Sequence, residues 1–91
     1  MYEMVEIRDE ESKGLILFSL INPKKEKIWR FSITREALND HFQTEDSFEK
    51  ARENFELNRD FVLKRAEAVI AAGAFDGEGV YLLEGKTINL F

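Results

Sequence analysis

SFEKARENFELNRDFVLKRAEAVIAA, residues 47–72, carries a helical period from end to end. Phe48, Ala51, Phe55, Val62, Ala66 and Val69 recur at three- and four-residue spacing, so they line one side of a helix of about seven turns. Between Phe55 and Val62 the same spacing lands on Asn58 and Arg59. An apolar stripe with a polar step in its middle is the feature around which the rest of the chain is read. Asp46 is expected to cap this helix, with Glu49 in the reciprocal capping position, and Gly73 to close it in a left-handed conformation.

Working back from it, Thr34 offers a hydroxyl to cap a short first helix, about Arg35 to Phe42, and Glu36 suits that helix's positive end. Ala37, Leu38 and Phe42 are the residues it would bury. Three strands precede it. Residues 2–8 alternate weakly, Val5 and Ile7 against Glu6 and Arg8, and a polar turn from Asp9 to Gly14 follows. Gly14 to Ile21 is the most apolar run of the chain. It reads as a central strand buried on both faces, or as one with a face covered by a second copy of the protein. Asn22-Pro23-Lys24-Lys25 is a turn, and the returning strand puts Trp29, Phe31 and Ile33 on one face and Ile28, Arg30 and Ser32 on the other. The short connections make these three strands an antiparallel meander.

Beyond the long helix, Ala74 to Gly79 is a loop, Val80 to Leu83 a strand, and Thr87 to Phe91 a final short strand after Gly85. The expected fold is a single α+β domain over residues 1–91. Its order is β-β-β-α-α-β(-β), with an antiparallel sheet of four to five strands and both helices on one face.

Composition narrows the chemistry. The chain has 91 residues, 44% of them hydrophobic and eight of them Phe, enough for one thin core. It has no cysteine, which removes disulfide scaffolds, thiolate metal sites and cysteine nucleophiles. A small domain without staples suits a reducing compartment, so the cytoplasm is expected. The longest apolar run, Leu15 to Ile21, is seven residues and far short of a membrane span, and the acidic Glu3 and Glu6 do not suit a signal peptide. The net charge of −5 works against non-specific contact with nucleic acid. The charge is unevenly spread: residues 22–35 carry +4 and residues 36–56 carry −5.

Three groups of residues could carry function. Arg59 and Asn58 on the stripe suit a small anionic ligand, a guanidinium fork plus an amide, with His41 and Glu36 as further members of such a site or of a modest active site. The structural reading of the same step is an arginine paired inside the fold, with Glu36 as the expected partner, or one bonded to backbone carbonyls at the end of the sheet. His41 beside Asp40 also has a structural reading, since a histidine late in a helix is favourable with the dipole. Lys24, Lys25, Lys27, Trp29 and Arg30 form a basic, aromatic hairpin that could meet a partner or, less in keeping with the net charge, a nucleic acid. Trp29 is equally explained as core. The glycines from Gly73 to Gly85 lack the strand–loop–helix order of a phosphate loop. No metal-ligand spacing is present, and no metal or cofactor is expected.

One set of residues resembles a known family. Ile33 to Leu38, Phe42, Phe55-Glu56-Leu57-Asn58-Arg59, Ala66-Glu67 with Ile70, and Gly79-Val80-Tyr81-Leu82 are similar to the YrdB-like family, small bacterial proteins of unknown function. The resemblance spans residues 14–84, and its most distinctive element is Phe55-x-x-Asn58-Arg59. It implies a small α+β domain with strands on both sides of the helices, and no activity, substrate or cofactor. The acidic N-terminus and the tail from Lys86 to Phe91 depart from the pattern. The leading expectation is a cytoplasmic, non-enzymatic domain that works by binding another macromolecule, an unknown protein among the candidates, with a homo-oligomer as one form of it. A ligand site at Arg59 and a nucleic-acid surface at the hairpin follow as alternatives.

Overall fold

The strands alternate as their sequence demands, and the helices cover one side of them. In the computed structural model, which describes residues 1–88, β1 (Glu3–Glu10), β2 (Leu15–Ile21) and β3 (Ile28–Thr34) form an antiparallel meander. A helical half follows: α1 (Arg35–Phe42), α2 (Phe48–Leu57) and α3 (Arg59–Ala71). The chain then returns as β4 (Val80–Leu83) and ends its described part in one helical turn, α4 (Gly85–Ile88). The sheet order is β1-β2-β3-β4. β4 lies parallel to β3, because three helices intervene and bring the chain back to the same end of the sheet. The helical turn at Gly85–Ile88 replaces the start of the expected last strand; the rest of that expectation, residues 89–91, lies outside the described residues.

On the covered face, Ile16, Phe18 and Leu20 of β2 stand beside Trp29, Phe31 and Ile33 of β3, each at most 8% exposed. Phe18 lies directly across from Phe31 with the rings stacked at 5.4 Å, and it reaches α2 through Phe55 at 5.7 Å. Ala37, Leu38, Ala51, Val62, Ala66 and Val69 complete this core from the helices.

The local helix signals behave as physical chemistry requires. Thr34 Oγ1 accepts from the Ala37 amide at 3.0 Å, capping α1. Ala71 and Ala72 end α3, and Gly73 follows at φ +73°, with its amide donating to Ile70 O and that of Ala74 to Val69 O. These are the two paired bonds of a Schellman cap. At the start of α2 the cap is Ser47, whose Oγ accepts from the Lys50 amide at 3.1 Å. Asp46, the expected cap, is drawn away to Arg35 and Asn39 of α1.

Three expectations are corrected by packing. The stretch 47–72 is two helices, broken at Asn58, whose φ of −124° and ψ of 36° leave the helical region. The Asn58 side-chain amide donates to Asn54 O at 2.9 Å, alongside its own backbone N–H at 3.0 Å, so the last turn of α2 is capped at the break. Arg59 therefore does not lie on a buried stripe. Its side chain is 45% exposed and its Nη1 sits 3.8 Å from Glu56 Oε2, so the partner is Glu56 rather than Glu36. β1 carries a bulge: Val5 pairs with Ser19 and Arg8 with Leu17, leaving Glu6 and Ile7 together opposite Phe18. Glu6 takes φ +55°, and Val5 and Ile7, expected on one face, end on opposite faces. Finally, β2 is central but its second face is only half-buried at Leu15, Leu17 and Ile21. Among the described residues no helix is long and apolar enough to cross a membrane.

Candidate functional site

The second face of the sheet is the surface that the fold leaves unused. Register places its side chains in rows across the strands. One row runs Val5, Ser19, Arg30, Val80, and the next runs Arg8, Leu17, Ser32, Leu82. Rows are separated by about 6.6 Å along the strands, and neighbours within a row by about 4.8 Å. Ile21 and Ile28 pair beyond the first row, and Leu15 and Thr34 beyond the second. Seven aliphatic residues thus lie on this face, with Glu3 and Glu10 at its β1 margin, yet among the described residues every helix packs against the other side. Val80 is 54% exposed and Leu82 41%. A solvated sheet face is normally polar, so aliphatic residues held there mark a surface of interest.

Small residues shape it. Ser19 and Ser32 lie low between longer neighbours, each 5% exposed, and the bulge at Glu6 lifts β1 at one side. Together they leave an open hollow of about 450 Å³, with Leu17 and Ser19 in its floor and Glu6, Arg8, Arg30 and Val80 around it. Arg8 is 3.9 Å from Glu10. Arg30 and Glu6 are exposed, line this hollow from opposite sides, and form no ion pair among the described residues.

The residues singled out in the sequence fall in several places. Arg59 lines a second, shallower hollow of about 370 Å³ with Tyr2, Leu63 and Asp60. Asn58 spends its amide on Asn54 O, as described above. His41 stacks on Phe61 at 4.4 Å and meets the edge of Phe42 at 4.8 Å, and the Arg65 guanidinium lies 4.8 Å from the centre of the same Phe61 ring. Glu36 is exposed on the first turn of α1, 4.0 Å from Arg35. No contact links Glu36 or His41 to Arg59 among the described residues, and neither lines the Arg59 hollow.

The basic hairpin is divided by the sheet. Trp29 is 8% exposed on the helix side, with the Tyr2 ring edge-on at 5.3 Å and Lys27 Nζ 4.9 Å from its centroid. Lys27 Nζ also donates to Asp76 O at 2.6 Å. No ring face remains there for a base to stack on. Lys24 and Lys25 are exposed in the turn, whereas Arg30 belongs to the open face.

A polar cluster between α1 and α2 escaped sequence reasoning. Asn39, 1% exposed, donates through Nδ2 to Asp46 Oδ1 at 3.2 Å and to Ser47 O at 2.9 Å. Its Oδ1 accepts from Thr44 Oγ1 at 3.1 Å and from Asn54 Nδ2 at 3.2 Å. Asn54 Nδ2 further donates to Thr44 Oγ1 at 2.7 Å, and Arg35 Nε to Asp46 Oδ1 at 3.0 Å. Every polar atom of Asn39's side chain is engaged by the protein, so the cluster fastens the helix corner and offers nothing to a ligand. Among the described residues no group of three or more His, Cys, Asp or Glu is placed to hold a metal ion.

Comparison with known proteins gives a family and a fold. The family model described as "Protein of unknown function (DUF1488)" matches residues 9–83. No curated protein matches the chain. Among solved structures, the crystal structure of a protein of unknown function from the DUF1488 family of Shewanella loihica PV-4 is similar, with a TM-score of 0.69. The alignment covers 90% of each chain at 20% sequence identity, a likeness of fold.

Proposed function

The chain belongs to the DUF1488 family, whose function is unknown, and on that premise we propose that it is a non-enzymatic interaction domain that binds another polypeptide through the open face of its sheet. The observation that carries this reading is the uncovered aliphatic surface built by alternate residues of β2, β3 and β4, with Val80 and Leu82 about half exposed. Burying such a surface against a partner removes apolar area from water, worth roughly 25 cal/mol per Å² before the costs of association. The setting we infer is a bacterial cytoplasm, in keeping with a single small domain without cysteine. The YrdB-like resemblance is read as a likeness within this same family, since its residues 14–84 fall almost wholly inside the matched segment.

Site-specific photo-crosslinking tests the face. A photo-reactive residue at position 17 or 82 is expected to capture polypeptide, and one at position 57 is not, although Leu57 on the helical side is 74% exposed. Capture from position 57 alone, or from none of the three, removes the reading. A second reading, a small-anion site at Arg59, is favoured by the hollow that this residue lines with Tyr2 and Leu63. Asp60 and Glu56 weaken it by offsetting the positive charge. Phosphate and acetate titrations that shift amide resonances around Arg59, and fail to do so in Arg59→Met, would support it.

A further inference from the structure

Resting on the reading of the open face as a docking surface, we infer that its occupant is a second copy of this chain, related by a two-fold axis that runs parallel to the strands between two facing sheets. A two-fold interface must be complementary to itself. The register allows that to be checked row by row. Such an axis keeps each row at its level and reverses its order, so β2 of one copy lies over β3 of the other. Row one, Val5-Ser19-Arg30-Val80, then meets Val80-Arg30-Ser19-Val5. Row two, Arg8-Leu17-Ser32-Leu82, meets Leu82-Ser32-Leu17-Arg8. In both central rows a long side chain stands over a serine, Arg30 over Ser19 and Leu17 over Ser32, and each match occurs twice. The depressions over these two serines, each 5% exposed, are the places that receive them.

Charge follows the same symmetry. Arg30 projects from the middle of an aliphatic face without a carboxylate partner among the described residues, and Glu6 stands unpaired at the β1 side of the same hollow. The axis carries β1 of one copy over β4 of the other. Each Arg30, lying over Ser19 of the facing sheet, is then beside the facing Glu6, which borders that serine on the bulged strand. Across sheets about 10 Å apart, an extended arginine and a glutamate span the gap. Turning the second copy about an axis across the strands instead sets each β1 over the other β1 and offers Arg30 no such carboxylate. Strands of eight, seven, seven and four residues present roughly 400 Å² per copy in projection, at the low end of specific interfaces, so the pair dissociates on dilution.

Sedimentation equilibrium from about 1 μM to 1 mM tests this, with circular dichroism confirming that each variant is folded. The parent is expected to pass from 10.6 kDa towards twice that mass. Arg30→Glu and Glu6→Arg each place like charges together at two points and should weaken association by about a hundredfold or more. An equimolar mixture of the two variants restores both pairs, as does the double variant, and each should associate again. A parent that stays monomeric, single variants that associate like the parent, or a mixture that fails to recover overturns the inference. Crosslinks from positions 17 and 82 to other polypeptides alone would overturn the second copy and leave the docking face standing. No crosslinks from either position would remove both.

Discussion

The two faces of one sheet are built from neighbouring residues of the same strands, and they meet different fates. Ile16, Phe18 and Leu20 are at most 1% exposed, whereas Leu15, Leu17 and Ile21 between them are half-buried. Across the next strand, Phe31 faces the helices and Arg30 the open side. Hydrophobicity alone does not separate the two faces in β2, since leucine and isoleucine occur on both. What separates them is size and companionship. The covered face carries the aromatic rings, whose area needs a helix layer to enclose it, and the open face carries aliphatic residues interrupted by serines and by Arg8 and Arg30. The first is permanently buried by the helices, and the second is the face the proposed contact would use.

The comparison is sharpest where a side chain is removed. Phe18→Ala on the covered face empties the space between Phe31 and Phe55 and should cost about 3–5 kcal/mol in urea unfolding. A loss below about 1 kcal/mol would mean the core is not built around that ring. Asn39→Ala strands Thr44, Asp46 and Asn54 at the helix corner and should cost about 2 kcal/mol, with unchanged self-association. Leu17→Ala on the open face should cost about 1 kcal/mol or less in a dilute monomer, while weakening association at millimolar concentration. Equal losses from Leu17→Ala and Phe18→Ala would erase the difference between the faces. The smallest effect is expected from Arg59→Met, within about 0.5 kcal/mol, because its pair with Glu56 is solvent-exposed. A large loss there would return Arg59 to the core and contradict the break at Asn58.

Much of the fold was legible because it is local. The start of α1 follows from Thr34 and its hydroxyl, and the end of α3 from Gly73, because a cap is an interaction among residues three to five apart. The meander followed from the turn at Asn22-Pro23 and from the alternation of Trp29, Phe31 and Ile33. The break at Asn58 was visible as a polar step on a stripe, but an asparagine can sit in a helix or leave it, and neighbouring packing decides which. The bulge at Glu6 was hidden, since nothing in alternating residues announces that two of them will oppose one. The bond between Asn39 and Asn54 joins residues 15 apart on different helices, a distance at which sequence periodicity carries no information.

The candidate surface divides in the same way. Period-two alternation by itself determined that Ile28, Arg30 and Ser32 share one face and Trp29, Phe31 and Ile33 the other, because successive side chains of a strand must point to opposite sides. It also showed β2 to be apolar on both sides and β3 to carry an arginine on one. Which of the two faces the helices would cover, and that β4 would add Val80 and Leu82 to the one left open, was decided only by tertiary structure. One layer of helices can enclose only one side of the sheet, and it packs where the aromatic rings offer the larger area to remove from water.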